Sequence, residues 1–221
     1  SLPGLQIDHK FILDTNDILS LDNLPEKILI VGSGASGIEW TRIFESLGRT
    51  VTLVELAPVL APMFDKSLSE RIERIFKRKR IEFYTETKIE KIDNNTVILS
   101  NGKELQPDIV FLAAGRTPNS DIEGLEDIGI SKFGKNIRVD KNLKTNIDNI
   151  YAIGDVTGIL QLAHVASHQG VKVVEHILEK KEAEINYNNI PRIIYGNPEI
   201  ASVGYNEQEL ISQDIEFEES I

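Results

Sequence analysis

Apolar runs and amphipathic segments alternate through the first third of this chain. Residues 28–31 are a continuous apolar run that leads into a glycine-rich turn, and residues 51–54 are a second such run. The amphipathic segment between them predicts a helix, so residues 27–55 predict a strand, a tight turn, a helix and a second strand. A further amphipathic segment begins where Ser67 and Glu70 have the spacing of a capping box, which predicts the start of the next helix.

The pattern changes after residue 81, where the apolar segments become shorter. Strand-like segments at residues 83–85, 88–92 and 96–99 are separated by turn signals, and Asn101-Gly102 is a strong hairpin signal. We expect three short antiparallel strands here, in place of the crossover helix of an ordinary doubly wound fold. The apolar run at residues 109–113 then predicts a buried parallel strand.

The remaining segments give weaker signals. They predict short strands at residues 11–13, 137–139 and 150–155, a helix at 163–180, strands within 190–205, and a last short helix that Asn206 and Glu209 open as a capping box.

The glycine turn carries the clearest chemistry. Gly32, Gly34 and Gly37 form a G-x-G-x-x-G pattern directly after a predicted strand and before a predicted helix. The first glycine permits the turn, the second lets a pyrophosphate approach the backbone, and the third allows close packing of helix and strand. Free N–H groups at the helix start then face the phosphates. This combination predicts a dinucleotide site; a glycine turn that only serves packing is the alternative.

Glu55 ends the second strand and indicates which dinucleotide binds. A carboxylate there can accept hydrogen bonds from the hydroxyls of an adenosine ribose. The same carboxylate would repel the 2′-phosphate of NADP by on the order of 4 kcal/mol at about 4 Å and an effective dielectric of ~20. Residues 56–60 offer no Arg or Lys for that phosphate. NAD is therefore favoured over NADP, unless Glu55 is only a solvent-exposed strand end.

Composition excludes several other functions. The formal net charge is -11, which disfavours nucleic acid and anionic membranes as partners, and the basic run at residues 77–80 fits a solvated helix end. The chain has no cysteine, so it offers no thiolate nucleophile or disulfide. His164 and His168 have a spacing that can hold a metal, but no third ligand is evident, and we expect no metal site. No apolar stretch has the length of a membrane span, and we expect a cytoplasmic protein.

Five segments in a fixed order resemble the FAD- and NAD-dependent disulfide oxidoreductases, and within them most closely the dihydrolipoamide dehydrogenase branch. They read VGSGASGIEW, VELAPVLAPMFD, LAAGRTPN, IYAIGDV with LQLAHVASHQG, and PRIIYGNPEIASVG. The resemblance implies an α/β fold with a Rossmann-like, three-layer NAD-binding domain, in which a parallel sheet has helices on one face and an antiparallel β-meander on the other. It also implies part of an FAD-contacting region and the start of an α+β dimerisation domain.

Matching positions carry the family's cofactor contacts onto this chain. The resemblance places NAD against Gly32, Ser33, Gly34, Ala35, Ser36, Gly37, Ile38, Glu39, Glu55, Ile89 and Gly115. It places FAD against Asp155, Gln161, Leu162, Ala163 and His164.

The resemblance also divides the chain by function. It implies a connector at residues 1–24, an NAD-binding domain at 25–147, an FAD-contacting segment at 148–186 and the start of the dimerisation domain at 187–221. The family's redox cysteines and its His–Glu base have no counterpart here. We therefore expect a middle fragment of a longer polypeptide, one that binds NAD, does not retain FAD by itself and is not catalytically competent alone.

The full-length protein implied by the resemblance is a homodimeric dihydrolipoyl dehydrogenase. It would use NAD to reoxidise the dihydrolipoamide of 2-oxo acid dehydrogenase complexes and would meet a lipoyl-bearing acyltransferase as its partner. Other members of the family stay open, such as an NADH oxidase, a coenzyme A disulfide reductase or, less favoured by Glu55, an NADP-linked reductase. A non-catalytic NAD-binding module is an alternative of a different class.

Overall fold

The computed structural model describes residues 5–179 and 182–220, and it divides them into two compact units. Arg116–Ile190 form the second unit, and the described residues up to Gly115 and from Pro191 onward form the first. The functional boundaries predicted from sequence stay predictions, and each unit is considered by itself below.

Helices and strands follow one another closely in the part of the first unit that precedes residue 116. They are β1 (Ile12–Leu13), α1 (Thr15–Leu19), β2 (Lys27–Val31), α2 (Ala35–Ser46), β3 (Thr50–Val54), α3 (Lys66–Lys79), β4 (Glu82–Tyr84), β5 (Ile89–Asp93), β6 (Thr96–Leu99), β7 (Glu104–Leu105) and β8 (Ile109–Leu112).

The second unit has fewer regular elements, and the chain then returns to the first unit. The second unit contains β9 (Lys132–Phe133), β10 (Asn136–Ile137), a 3-10 turn (Gly154–Thr157), α4 (Ala163–Glu179) and a second 3-10 turn (Tyr187–Asn189); the first unit is completed by β11 (Arg192–Ile194), β12 (Ile200–Ser202) and α5 (Glu207–Ser212).

A five-stranded parallel sheet forms the centre of the first unit, with strand order β1-β8-β2-β3-β4. Ile28 of β2 lies opposite Ile109 of β8 on one side and Val51 of β3 on the other. Because these strands are parallel, their carboxyl ends meet at one edge of the sheet. Gly32 and Glu55 therefore emerge side by side at that edge.

The two faces of this sheet bury different layers. Ile28 and Ile30 point into a core shared with α2 and α3, whereas Leu29 and Val31 point into a second core with the meander of β5, β6 and β7. This is the period-2 alternation of a strand that is buried on both faces. The three-layer α/β fold predicted from the sequence is confirmed.

The meander has a different membership from the predicted one. β4, which contains Phe83 and Tyr84, pairs in parallel with β3 and forms an edge of the central sheet, while β7 supplies the third antiparallel strand. The prediction that residues 83–85 belong to the meander is wrong. A three-residue strand has too little periodicity to indicate its partner.

The start of α3 also differs from its prediction. Asp65, not Ser67, occupies the N-cap position, and no side chain caps the helix there. The Asp65 carboxylate instead accepts a hydrogen bond from the backbone N–H of Glu207 at 2.8 Å. The predicted capping box of Ser67 and Glu70 is wrong because Ser67 already lies inside the first turn.

In the second unit, β9 and β10 form an antiparallel hairpin over a small core of Ile130, Ile137 and Ala152. The strand predicted at residues 150–155 is wrong, since only one isolated bridge forms there, between Tyr151 and Lys144, and Gly154 begins a 3-10 turn. The predicted helix is confirmed as α4; its last predicted residue lies outside the described part of the chain.

The hairpin of β11 and β12 packs against α2 in the first unit. The Glu39 carboxylate accepts a hydrogen bond from the Tyr195 N–H at 3.0 Å, and the Arg42 guanidinium donates to the Tyr195 carbonyl at 2.8 Å. The capping box predicted at Asn206 and Glu209 opens α5 as expected. Within the described ranges, no helix is long and apolar enough to cross a bilayer.

Candidate functional site

The three glycines of the turn after β2 differ in what a side chain would meet at each position. Gly32 has φ +100°, where side chains are strained, and a Cβ there would lie 2.9 Å from the Ala114 backbone. A Cβ on Gly37 would lie 1.8 Å from the carbonyl oxygen of Gly32, which only glycine avoids. A Cβ on Gly34 would meet nothing closer than the Met63 side chain at 3.8 Å. Gly34 thus leaves open space at the turn, which is the fit that an approaching pyrophosphate needs.

The start of α2 presents its backbone donors beside this open glycine. Gly34 is the N-cap, and the first helical hydrogen bond runs from Ile38 N–H to the Gly34 carbonyl at 3.1 Å. The N–H groups of Ala35, Ser36 and Gly37 precede that bond and have no acceptor within the helix. Such N–H groups, together with the helix dipole, favour an anion at this position.

Glu55 is bonded to the same turn. One of its carboxylate oxygens, Oε2, accepts hydrogen bonds from the Ser33 N–H at 2.6 Å and from the Ser33 hydroxyl at 2.7 Å. The other, Oε1, accepts from the Ala57 N–H at 2.8 Å. Ser33 itself is fully buried. The predicted ribose-binding acid is therefore held at the glycine turn, and the contact with Ser33 was not evident from sequence.

A cleft of about 480 Å³ opens beside Glu55, between the edge of the parallel sheet and the meander. Ile89, the predicted adenine contact, is one of the residues that line it. Lys88 and Glu90 flank Ile89 and place opposite charges in the same cleft, and no sequence pattern indicated them. The lining comprises Leu5, Val31, Gly32, Val54, Glu55, Leu56, Thr87, Lys88, Ile89, Glu90 and Ala114.

Of the predicted NAD contacts, Gly32, Glu55 and Ile89 line this cleft, and neither residues 33–37 of the glycine turn nor Ile38, Glu39 and Gly115 do. Ile38 is only 2% exposed and belongs to the core between the sheet and the helices. Glu39 is hydrogen-bonded to the Tyr195 backbone. Gly115 follows the cleft residue Ala114, has φ +101° and has open space around its Cα. The structure thus brings Glu55, Ile89 and the glycine turn together but does not bring Ile38 and Glu39 to the cleft.

The predicted flavin contacts lie in the second unit. Asp155 is in the 3-10 turn, half-buried, with its carboxylate 3.6 Å from the Arg116 guanidinium. Gln161, Ala163 and His164 are exposed at the start of α4, and Leu162 is partly buried.

Gln169 supports this region and was missed from sequence. Its buried side chain accepts a hydrogen bond from the Gly154 N–H at 2.6 Å and donates to the Tyr187 hydroxyl at 2.9 Å. A glutamine on the apolar stripe of a helix, one turn from Val165 and Val173, was the available signal. Across residues 5–179 and 182–220, no group of three or more His, Cys, Asp or Glu side chains could hold a metal.

Comparison with known proteins gives consistent matches. The model of the pyridine nucleotide-disulphide oxidoreductase family matches residues 1–170. Dihydrolipoyl dehydrogenase of Bacillus subtilis is 38% identical over 224 residues, covering 94% of this chain and 46% of that protein. The mitochondrial dihydrolipoyl dehydrogenase of Pisum sativum is 34% identical over 228 residues, covering 98% of this chain and 45% of that protein.

A solved structure shows the same fold. LpdA of Mycobacterium tuberculosis has a TM-score of 0.85 and 28% identity, and the match covers 96% of this chain and 48% of that one. The chain spans about half the length of the curated relatives it matches.

Proposed function

Since this chain belongs to the pyridine nucleotide-disulphide oxidoreductase family, we propose that its first unit binds NAD at the glycine turn after β2. The family resemblance found in the sequence is confirmed, and the family implies use of FAD and a pyridine nucleotide. The observation that carries the choice of site is the pairing of an open Gly34 with the Glu55 carboxylate at the adjacent strand end. When bound, NAD supplies a nicotinamide ring that accepts a hydride.

Different residues of this chain would bind the pyrophosphate, the ribose and the adenine of NAD. The N–H groups at the start of α2 would bind the pyrophosphate, because they lack helical acceptors and lie at the positive end of the dipole. Glu55 would accept from the adenosine ribose, and Ile89 would contact the adenine. Ile38 and Glu39 stay predictions as nicotinamide-side contacts, and so does Gly115.

For the full-length protein we propose dihydrolipoyl dehydrogenase activity. In that reaction a dithiol becomes a disulfide, NAD⁺ takes a hydride to become NADH, and one proton is released. The similarity to two dihydrolipoyl dehydrogenases supports this choice. A homodimer, a lipoyl-bearing acyltransferase partner within 2-oxo acid dehydrogenase complexes and a cytoplasmic location belong to the same proposal.

We assign no catalytic residue to this chain, because it has no cysteine to exchange with a dithiol. Asp155 and residues 161–164 would contact FAD in the full-length protein, and we expect the 221-residue chain not to retain flavin. Purification without added flavin should give a colourless protein that does not reduce NAD⁺ with dihydrolipoamide. A yellow protein with stoichiometric flavin, or turnover near the rate of a full-length enzyme, would contradict this.

Titration of the purified chain with NADH and NADPH tests the nucleotide site. We expect NADH to bind more tightly, because the Glu55 carboxylate repels a 2′-phosphate by on the order of 4 kcal/mol at ~4 Å. Glu55→Gln keeps an acceptor but removes the charge, and Lys88 in the cleft then favours the phosphate. NADPH affinity should rise about tenfold or more relative to NADH.

Glu70→Ala is a control that removes one negative charge from an exposed position on α3, and it should leave the ratio of the two affinities unchanged. Equal preference for NADH and NADPH in the unsubstituted chain would remove the role proposed for Glu55. Failure to bind either nucleotide would overturn the site itself.

A further inference from the structure

We propose that the first unit binds a phosphate group, free or carried on a small molecule, in a basic cavity at the amino ends of β3 and β4. The cavity has a volume of about 590 Å³, and small-molecule sites measure roughly 300–1,000 Å³. Thr50 and Glu82, the first residues of the two strands, line it. Glu55 follows the other end of β3, so the inference concerns a different part of the first unit and does not rest on the proposed NAD site.

The lining of this cavity is basic although the whole chain is acidic. Four cationic and two anionic side chains line it, a surplus of two positive charges, whereas the chain has a net charge of -11. Both carboxylates already have cationic partners, since Glu45 accepts from Lys79 at 2.9 Å and Glu82 accepts from Lys103 at 2.6 Å. The other three cations of the lining, which form no ion pair with any described residue, are Arg49, Lys77 and Arg80.

Arg49 is the member of this set whose hydrogen bonding is incomplete. Its Nε–H is buried and has no acceptor among the described residues. A buried donor without an acceptor is costly, and most buried polar groups in native proteins have a partner. A phosphate oxygen can supply that acceptor, because a guanidinium donates to phosphate through two parallel N–H bonds.

The two helix ends beside the cavity do not use these cations as caps. Basic side chains near a helix C-terminus can bind its last carbonyls. Here the backbone does so, because the Phe44 carbonyl of α2 accepts from the Arg49 N–H and the Phe76 carbonyl of α3 accepts from the Ile81 N–H, each at 2.9 Å. The three unpaired side chains make no hydrogen bond to another described residue. Their donors are therefore available to a ligand.

Arg80 occupies a backbone position that favours glycine. It has φ +58° at the end of α3, and the corresponding residue at the end of α2 is Gly48, with φ +73°. An arginine there costs backbone strain that a glycine avoids. Strained positions are common at ligand sites, and this one places a guanidinium at the cavity.

The charge of the cavity favours a phosphate over a carboxylate. A phosphoryl group carries a charge of about −1.5 to −2 at neutral pH, and a carboxylate carries a single negative charge. The Lys77 ammonium lies 5.6 Å from the centre of the Phe83 ring, a contact that does not neutralise it. Three cations without acidic partners therefore match the larger charge of a phosphate.

Calorimetric titration of the 221-residue chain with inorganic phosphate, pyrophosphate and acetate tests the proposal. The ionic strength is held constant, because salt screens exposed charges. We expect phosphate and pyrophosphate to bind and acetate not to bind. Pyrophosphate affinity about tenfold higher than that of phosphate would identify a ligand with linked phosphates, and equal affinities a single phosphate group. Binding of neither, or acetate binding as tightly as phosphate, would overturn the proposal.

Arg49→Gln should weaken the binding of phosphate and pyrophosphate about tenfold or more, because it removes charge-assisted hydrogen bonds. The matched control is Arg78→Gln, which removes the same charge from an exposed position in the last turn of α3 that does not line the cavity. Its affinity should stay within about twofold of the unsubstituted chain, since an exposed charge is screened. Equal losses in the two variants would show only a general effect of charge and would contradict the site.

Arg80→Gly separates binding from stability. Glycine relieves the strain at φ +58°, so the midpoint of thermal unfolding should not fall. The affinity for phosphate should nevertheless fall about tenfold, because a guanidinium is lost from the cavity. Unchanged affinity in Arg80→Gly or in Arg49→Gln would overturn the inference.

Gly34→Ala locates the bound anion. It adds a methyl group at the glycine turn, which follows the carboxyl end of β2, and it should leave the affinity for phosphate unchanged. Loss of affinity in Gly34→Ala with normal binding in Arg49→Gln would place the anion at the glycine turn and refute the cavity. Failure of NADH to bind, in contrast, would overturn the proposed function and leave this inference standing.

Discussion

The side-chain carbonyl of Gln169, in the middle of α4, accepts a hydrogen bond from the backbone N–H of Gly154 at 2.6 Å. The same amide donates to the Tyr187 hydroxyl at 2.9 Å, so one buried side chain joins two 3-10 turns of the second unit. Gly154 has φ +75° and directly precedes Asp155. The position of that acid thus depends on a residue that has no direct contact with a ligand in our proposal.

Replacing Gln169 with leucine should destabilise the second unit by about 1–3 kcal/mol. Leucine has a similar volume but cannot accept, so the buried Gly154 N–H would lose its only acceptor within the described residues. Denaturant unfolding followed by circular dichroism measures the change. Gln161→Leu, at an exposed position of the same unit, should stay within about 0.5 kcal/mol of the unsubstituted chain. Similar values for the two variants would show that the Gln169 bonds contribute no net stability.

Gly34→Ala and Gly37→Ala should separate nucleotide binding from folding. The Gly34 variant should unfold within about 0.5 kcal/mol of the unsubstituted chain, because its Cβ meets only the end of Met63. Its NADH affinity should nevertheless fall about tenfold or more, since the added methyl group occupies the space proposed for the pyrophosphate. Calorimetric titration and thermal unfolding measure the two effects.

Gly37→Ala, in contrast, should first of all lower the stability of the protein. Its Cβ would lie 1.8 Å from the Gly32 carbonyl oxygen, so the helix and the strand must move apart at a cost of about 3 kcal/mol or more. A stable Gly37→Ala variant would contradict the packing role of this glycine. A Gly34→Ala variant that binds NADH normally would contradict the proposed approach of the pyrophosphate.

His9 and Asp17 should give the stability of the first unit a pH dependence. The hydrogen bond at 2.9 Å from the His9 ring to the Asp17 carboxylate, and then the charge of that carboxylate, raise the pKa of His9 above its ordinary 6.5. The resulting stabilisation is fully present below about pH 6.5 and is lost as the pH rises through the higher pKa of the folded state. Stability should therefore decline slightly as the pH is raised above neutral.

Nuclear magnetic resonance of the His9 ring protons measures this pKa directly. Asp17→Asn should lower the pKa toward 6.5, because it removes the charge that favours the protonated ring. Asp22→Asn removes an exposed charge that has no contact with His9 and should leave the pKa in place. An unchanged titration in Asp17→Asn would show that the pair does not form in solution.

The part of the fold that could be predicted from sequence is the part in which local pattern and tertiary structure agree. The run at residues 28–31 is restricted by burial on both faces of the sheet, Gly32 by its positive φ, and Gly37 by the close approach of the Gly32 carbonyl, so each carries a signal in the sequence. The capping box at Asn206 and Glu209 could be predicted for another local reason, since its two reciprocal hydrogen bonds join residues three apart in the sequence. These elements fold as expected.

The errors occur where a distant residue decides the outcome. The capping box was predicted at Ser67 and Glu70, but Asp65 is the N-cap, and its carboxylate accepts a hydrogen bond from the N–H of Glu207, which lies far away in the sequence. Ser33 looks like an ordinary turn residue until Glu55 is brought to it by the pairing of β2 with β3. Lys88 enters the cleft only through the placement of β5. No local pattern records such contacts, so they could not be predicted.

The hairpin of β11 and β12 has a consequence for the order of folding. It packs on α2 through Tyr195, although residues 116–190 separate it from the rest of the first unit. During synthesis, the face of α2 that bears Glu39 and Arg42 therefore emerges long before its partner. The entropic cost of bringing the two ends of the intervening segment together grows only slowly with its length. Residues 116–190 therefore delay the docking of the hairpin on α2 without greatly weakening that contact. The first unit therefore cannot be completed until the segment that follows residue 190 has been synthesised.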